Sequence, residues 1–380
     1  MSALKPCRNL RKLRESIRRR HAAQIKPRLA CLLANPACPS SQIHAAIMPS
    51  TEPVARQRRF HRPEAHARAW TLRNRTVFAR ANDLVYSPFM RQIIQFVLCV
   101  SILVLAGADS LLAQADPEWT EPFPPFRIAG NLYYVGSKGL ANYLVVTPQG
   151  NILINSDLEA NVPMIEASIE KLGFKFQDTK ILLISHAHFD HDAGSAKIKQ
   201  LTGARYMVMD ADVPVVESGS KLDFQYGNTP GFLYPPTKVD RVLHDGDEVK
   251  LGGMVLVAHL TPGHTKGCTT WTMKVSEGGK TYNVVIVGSP NVNPGYKLVH
   301  NDNYPQIAAD YARMFAVLNS LPCDIFLGAH SAYFGLEEKY ARMKDGGANP
   351  FVDPAGYKEF VAQKEQDFRA ELATQSLAAK

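Results

Sequence analysis

Residues 180–185 read KILLIS, an apolar run without polar alternation and too short for a typical helix. Such a run fits a strand covered on both faces. Before it, RIAGNLYYVGS (127–137) reads as a strand, and ANYLVVTPQGNILINS (141–156) as strand folded at Pro148-Gln149-Gly150. ANVPMIEASIEKLGF (160–174) changes the period: Ile165, Ile169 and Leu172 recur at helical spacing, and Pro163 falls in the first turn, where a helix tolerates it. Residues 193–201 predict a second helix, stopped by Gly203, and ARYMVMD (204–210) another strand. A loop rich in Gly, Pro and aromatic residues fills 218–238, a length that tends to be functional. Strands recur at GGMVLVAHLT, CTTWTMKV and NVVIVG, with a hairpin turn at 276–280. YPQIAADYARMFAVLNSL predicts a long helix, DIFLG a strand, and charged helices run on from there. Strands in pairs interleaved with helices predict an α/β protein of two sheets covered by helices.

Composition supports a packed body: the 380 residues are 46% hydrophobic and 21% charged. The net charge of +8 is unevenly placed, since residues 1–89 hold 18 Lys and Arg against four Asp and Glu, while 90–380 hold 25 against 31. A basic segment thus precedes a mildly acidic body, and the overall charge is no guide to the body's partners. The leader, 1–89, has RRR and RQRR clusters, scattered proline and no apolar period. It is expected to be disordered or to precede the natural start. If expressed, it reads as a nucleic-acid-binding arm or an organellar transit sequence.

Residues 90–115 have another character. MRQIIQFVLCVSILVLAGADSLLAQA opens with Arg91, runs apolar over 93–106 and closes on Ala113-Gln114-Ala115. This is the layout of a secretory signal with a small-x-small cleavage site, and it is short for a membrane span. The processed chain, 116–380, is expected to form one domain acting in the periplasm or outside the cell. It keeps only Cys268 and Cys323, expected as two buried thiols rather than a disulfide.

The chemistry concentrates directly after the KILLI run, where SHAHFDHDAG places three histidines and two aspartates in 186–192. His186 and His188 are two apart, so on extended chain they point the same way, and Asp190 and His191 follow as the chain turns. Neutral imidazoles with a carboxylate at a strand end suit zinc and related metals. Four groups cannot complete two metal shells. His264, in the Pro-Gly loop of HLTPGHTKG, and His330, in LGAH at another strand end, occupy comparable places. His244, His259 and His300 read as ordinary surface or strand residues.

SHAHFDHDAG, HLTPGHTKGCTTW, VGSPNVNPGYKL and LGAH, together with RVLHDGDEVKLGG, resemble in order and spacing the metallo-β-lactamases of subclass B3, over about residues 120–375. The resemblance implies an αββα sandwich, two mixed sheets flanked by helices, with two Zn2+ in the cleft between the sheet edges. It implies that His186, His188 and His264 hold the first zinc and that Asp190, His191 and His330 hold the second, with Asp190 also orienting a metal-bound hydroxide. The implied activity is hydrolysis of the β-lactam amide bond of penicillins, cephalosporins and carbapenems, giving antibiotic resistance. Ser289, Asn291 and Asn293 would hydrogen-bond the substrate carboxylate. Aromatic residues at 224–226 and 232–234 would cover its side groups or pack in the core.

The wider superfamily includes hydrolases of thioesters and lactones, and nucleases, many of which place an aspartate where this chain has Ser289. Serine there resembles subclass B3. The alternatives are a same-fold hydrolase of another ester, lactone or thioester, and a nucleic-acid-binding protein working through the leader. Two departures stand out. Asn155 occupies a place where relatives carry an aspartate near the metal, and Cys323 has no counterpart near ANPFVDP with which to pair. Lys297 and His300 lie close to the substrate turn in sequence. The expected partner is a small molecule, with no nucleic acid, no membrane in the processed form, and a monomeric state.

Overall fold

Parity along the apolar runs divides the core in two. In the computed structural model, which describes residues 116–379, β1 (Phe126–Ala129), β2 (Leu132–Tyr134), β3 (Tyr143–Thr147), β4 (Gly150–Ile154), β5 (Thr179–Leu183), β6 (Arg205–Met209) and β7 (Arg241–Leu243) form one sheet in chain order. Its first four strands pair antiparallel, and β4 to β7 pair parallel. In β5, Ile181 and Leu183 face inward with Ile152, Ile154, Met207 and Met209 of the neighbouring strands. Leu182 and Ile184 face the other way, against Val162, Ile165, Ile169 and Ile198. Burial on both faces is why KILLI lacks polar alternation. The leader (1–89) and the export signal (90–115) lie outside the described residues.

The covering helices are the crossovers that parallel pairing requires. α1 (Val162–Lys171) joins β4 to β5; α2 (Phe189–Asp192) and α3 (Ser195–Thr202) join β5 to β6; α4 (Val213–Glu217) lies between β6 and β7. Gly203, at φ 68°, ends α3 in the left-handed region where a side chain is disfavoured.

The second sheet holds β8 (Glu248–Leu251), β9 (Met254–Leu260), β10 (Thr269–Glu277), β11 (Lys280–Val287) and β12 (Ile325–Gly328), antiparallel except for the β11–β12 pair. α5 (Ile307–Ser320), α6 (Leu336–Lys344) and α7 (Pro354–Ala378) accompany it. α5 and α7 pack together through Tyr311 and Phe315 against Phe368. Among the described residues no helix is long and apolar enough to cross a membrane.

One expectation changes. The run 127–137 is a hairpin rather than one strand, folded where Gly130 takes φ 54°. RVLHDGDEVKLGG supplies β7 and β8, one for each sheet, and so carries the chain from the first sheet to the second. These strands are short and half exposed, which leaves little apolar pattern to read. Cys268 and Cys323 are both free, the first buried and the second partly so.

Just beyond β5 the sheets are tied by two hydrogen bonds. Trp271 of β10 is buried, and its indole N–H donates to the Ile184 carbonyl at 3.0 Å. The Thr269 N–H donates to the Ser185 carbonyl at 2.7 Å. Both bonds cross from the second sheet to the chain just beyond β5. Trp271→Phe keeps most of the apolar contact but leaves that carbonyl unpaired in the core. It is expected to cost about 2 kcal/mol, read as a lower denaturant midpoint with unchanged slope.

Candidate metal centre

Beyond β5 the chain runs extended through His188 (φ −86°, ψ 153°) and then turns into α2, which returns Asp190 and His191 toward His186. The start of this segment is fixed from beneath. Asn155, at φ 66°, accepts the Ser185 N–H on Oδ1 at 2.8 Å and donates from Nδ2 to the Ala141 carbonyl at 3.0 Å. The ring centroids of His186, His188 and His264 form a near-equilateral set, 4.6–4.9 Å apart. In a second set, Asp190 Oδ2 lies 3.1 Å from His191 Nε2 and 3.4 Å from His330 Nε2. The two imidazole nitrogens are themselves 3.1 Å apart. The His186 and His191 rings, 4.3 Å apart, join the sets. The structure therefore brings all six predicted ligands together.

The arrangement fits metal ions. Two ligands on a tetrahedral zinc at ordinary bond lengths sit about 3.3 Å apart, close to the spacings here. The outward nitrogens are held by protein: Ser185 Oγ lies 3.1 Å from His186 Nδ1, and His264 Nδ1 donates to the Asn291 carbonyl at 2.8 Å. His188 Nε2 has the Tyr296 hydroxyl at 3.4 Å and Asp223 Oδ2 at 3.7 Å. His186 Nε2 is left buried with no hydrogen-bond partner, as expected of a nitrogen whose partner is a cation. Ligand atoms of His186, His188 and His264, and of His186, Asp190 and His191, lie within 4.8 Å of one another.

Electrostatics prepare the same state. Burial, helped by the neighbouring imidazoles, pushes His188 down to about 4 and His264 and His330 to about 3, with His186 also well below its usual value. Burial works against ionisation of Asp190, but His191, then His330 and His188, outweigh it and hold the carboxyl below its usual range. At neutral pH His186, His188, His264 and His330 offer neutral imidazoles, and Asp190 a carboxylate.

Above the ligands lies a cavity of about 320 Å³. Trp119, Phe189, Tyr226 and Phe232 supply aromatic wall, with Tyr226 and Phe232 stacked at 4.4 Å. Ser289, Asn291 and Asn293 supply polar wall. The Tyr333 hydroxyl lies 3.1 Å from Ser289 Oγ and accepts from Asn291 Nδ2 at 2.8 Å; Asn293 Nδ2 donates to the Tyr226 hydroxyl at 3.1 Å. This turn leads to Tyr296, whose hydroxyl donates to the His264 carbonyl at 2.9 Å. Gln375 of α7 pins the turn's exit, donating to the Tyr296 carbonyl at 2.8 Å and accepting the Leu298 N–H at 2.7 Å.

Other expectations separate. Phe224 packs against Tyr296 and Tyr304, and Tyr234 is buried with its hydroxyl on the Ala187 carbonyl, so both belong to the core. Lys297 and His300 are not among the residues lining the cavity. His244 meets Asp210 at the surface and His259 meets Thr272 within the second sheet. Asn155 orients backbone rather than a ligand ring. A second buried carboxyl that feels His191, besides Asp190, is Asp157, pushed up to about 7 by its burial. Sequence reasoning missed Asp157, Trp119, Tyr296 and Tyr333. Trp119 stands out only as the one large aromatic in the polar stretch DPEWTEP.

Residues 141–276 match the family model described as the metallo-beta-lactamase superfamily. The native FEZ-1 metallo-β-lactamase from Legionella gormanii is 64% identical at a TM-score of 0.67, over 68% of this chain and 98% of that one. BJP-1, a subclass B3 metallo-β-lactamase of Bradyrhizobium japonicum, is 38% identical at a TM-score of 0.66, over 70% of this chain and 99% of that one. A hydroxyacylglutathione hydrolase of a Methylobacterium species is 31% identical over 111 residues, 29% of this chain and 36% of that protein. This chain spans about a third of the length of that protein and of the first curated metallo-hydrolase it matches. The chain belongs to the metallo-β-lactamase superfamily, and its two sheets with flanking helices are that family's αββα sandwich. Within the superfamily its solved neighbours are enzymes of subclass B3.

Because the imidazoles of the first triad are already neutral, protons should not compete for it near neutral pH. Three ordinary histidines of pKa 6.5 would lose about 60-fold in metal affinity between pH 8 and pH 6. Here the affinity of the tighter zinc is expected to change less than tenfold over that range, measured by chelator competition corrected for the chelator's own protonation.

Proposed function

We propose that this protein is a zinc-dependent β-lactamase that opens the strained amide of penicillins, cephalosporins and carbapenems. The observation that carries the reading is a pair of abutting ligand triads flooring a cavity that Ser289, rather than another carboxylate, borders. His186, His188 and His264 would hold one zinc, and Asp190, His191 and His330 the other. Zinc bound there supplies a Lewis acid for the amide carbonyl and makes hydroxide available from water at neutral pH.

The chain's own groups do the rest. Asp190 turns Oδ2 toward His191 and His330, which leaves Oδ1 to accept a hydrogen bond from the attacking water and fix its approach. Ser289, Asn291 and Asn293 place O–H and N–H donors on one wall, suited to the carboxylate that these substrates carry. Trp119, Tyr226 and Phe232 cover apolar side groups and keep bulk water from the reacting centre. The 90–115 segment supports export, so the reading places the processed chain in the periplasm, where such drugs are met and where hydrolysing them gives resistance.

A second reading, hydrolysis of a glutathione thioester, draws on the similarity to hydroxyacylglutathione hydrolase, which spans 29% of this chain. The likeness to subclass B3 enzymes spans 68–70% of it. The deciding assay uses the purified processed chain with zinc, a chromogenic cephalosporin, a carbapenem and a glutathione thioester. Turnover of both lactams, abolished by chelation and restored by zinc, is expected, and Asp190→Asn should lower kcat by about 10² or more. A folded, zinc-loaded protein that cleaves only the thioester would sink the lactam reading.

A further inference from the structure

The first ligand triad is assembled from both sheets. His186 and His188 follow β5 of one, while His264 sits in the loop between β9 and β10 of the other. One buried carboxylate spans the gap. Asp212, 1% exposed, closes the short 3-10 turn Asp210–Asp212 after β6. Its Oδ2 accepts the Ala187 N–H at 3.0 Å and the Thr265 hydroxyl at 2.8 Å, and its Oδ1 accepts the Gly267 N–H at 2.7 Å. Ala187 lies between His186 and His188, and Thr265 follows His264. The approach is so close that a Cβ at Gly267 would stand 2.6 Å from the Asp212 nitrogen and 2.7 Å from its side chain. No other residue type fits there without the clamp moving.

We propose that Asp212 is a positioning residue that sets the separation of the two ligand loops, and with it the affinity of the first metal position. The inference rests on the two-zinc reading above. What gives it specificity is that the second triad is tied elsewhere. His330 is held by its bridge to Leu140, by the Ala141 N–H on the Ala329 carbonyl at 3.0 Å and by the Ser331 N–H on the Gly139 carbonyl at 3.1 Å. The His191 carbonyl receives the Ser156 N–H at 3.0 Å. None of these bonds passes through Asp212, so loosening the clamp should release one metal and not the other.

Asp212→Asn turns an amide N–H toward a backbone donor and puts folding at risk. Thr265→Val is the milder variant: it keeps the shape and both backbone bonds and removes a single hydroxyl. Thr265→Ser restores the hydroxyl. Zinc affinities would be measured stepwise by chelator competition. The visible spectra of cobalt-substituted protein would separate a three-imidazole site from one containing a carboxylate. Thr265→Val is expected to weaken the three-histidine site about tenfold and leave the other unchanged, with Thr265→Ser close to wild type. Asp212→Asn, where it folds, should weaken the same site further. Equal weakening of both sites, or no change at either in Thr265→Val and Asp212→Asn, would overturn the proposal. A wild-type protein that binds no metal would overturn the two-zinc reading as well.

Discussion

Five imidazoles and a carboxylate share a space in which they are nearly removed from water, and everything else in the structure serves to hold them there uncharged or paired. Left to itself such a cluster is unfavourable. Protonated rings would repel one another, and bare nitrogens lose hydrogen bonds they would make in solvent. The protein resolves this by giving each outward nitrogen of His186 and His264 a defined partner and leaving the inward ones facing each other. A cation among the inward nitrogens would relieve both penalties at once.

The two sheets make this possible by meeting at their ends. β5 delivers its apolar run to the middle of the sandwich, and the polar residues that follow emerge where Trp271 and Thr269 of the other sheet anchor them. The loops after β9, β11 and β12 arrive at the same edge, bringing His264, the Ser289 turn and His330. Asp212 and the stretch around Leu140 then fix the loops to one another. A rigid scaffold thus carries irregular segments whose geometry is set by hydrogen bonds, not by their own secondary structure.

What the sequence showed followed from how each feature is encoded. The alternation of Ile181 and Leu183 with Leu182 and Ile184 declares a two-faced strand in a few letters, and H-x-H-x-D-H carries its chemistry within one short segment. His264 and His330 were legible because each stands at a strand end after a recognisable apolar run. Asp212 was not, since its partners are two backbone N–H groups and a threonine hydroxyl, which leave no pattern. Asp157 was missed for a physical reason. Asn155 and Asp157 both adopt positive φ, 66° and 54°, so the two-residue parity that would orient their side chains fails just past β4. β7 and β8 escaped because half-exposed edge strands have no strong alternation to show.

The hold of Gln375 on the chain either side of Tyr296 joins α7 to the turn that lines the cavity. The ligands themselves run from His186 to His330, and the Tyr143 hydroxyl must reach the Gly328 carbonyl, 185 positions away. Contacts of such separation form only after large loops have closed. During biosynthesis, therefore, no partial chain that stops short of His330 can offer the complete set of ligands. A metal centre of this kind is complete only once the segments at His186 and His330, far apart in the chain, have come together.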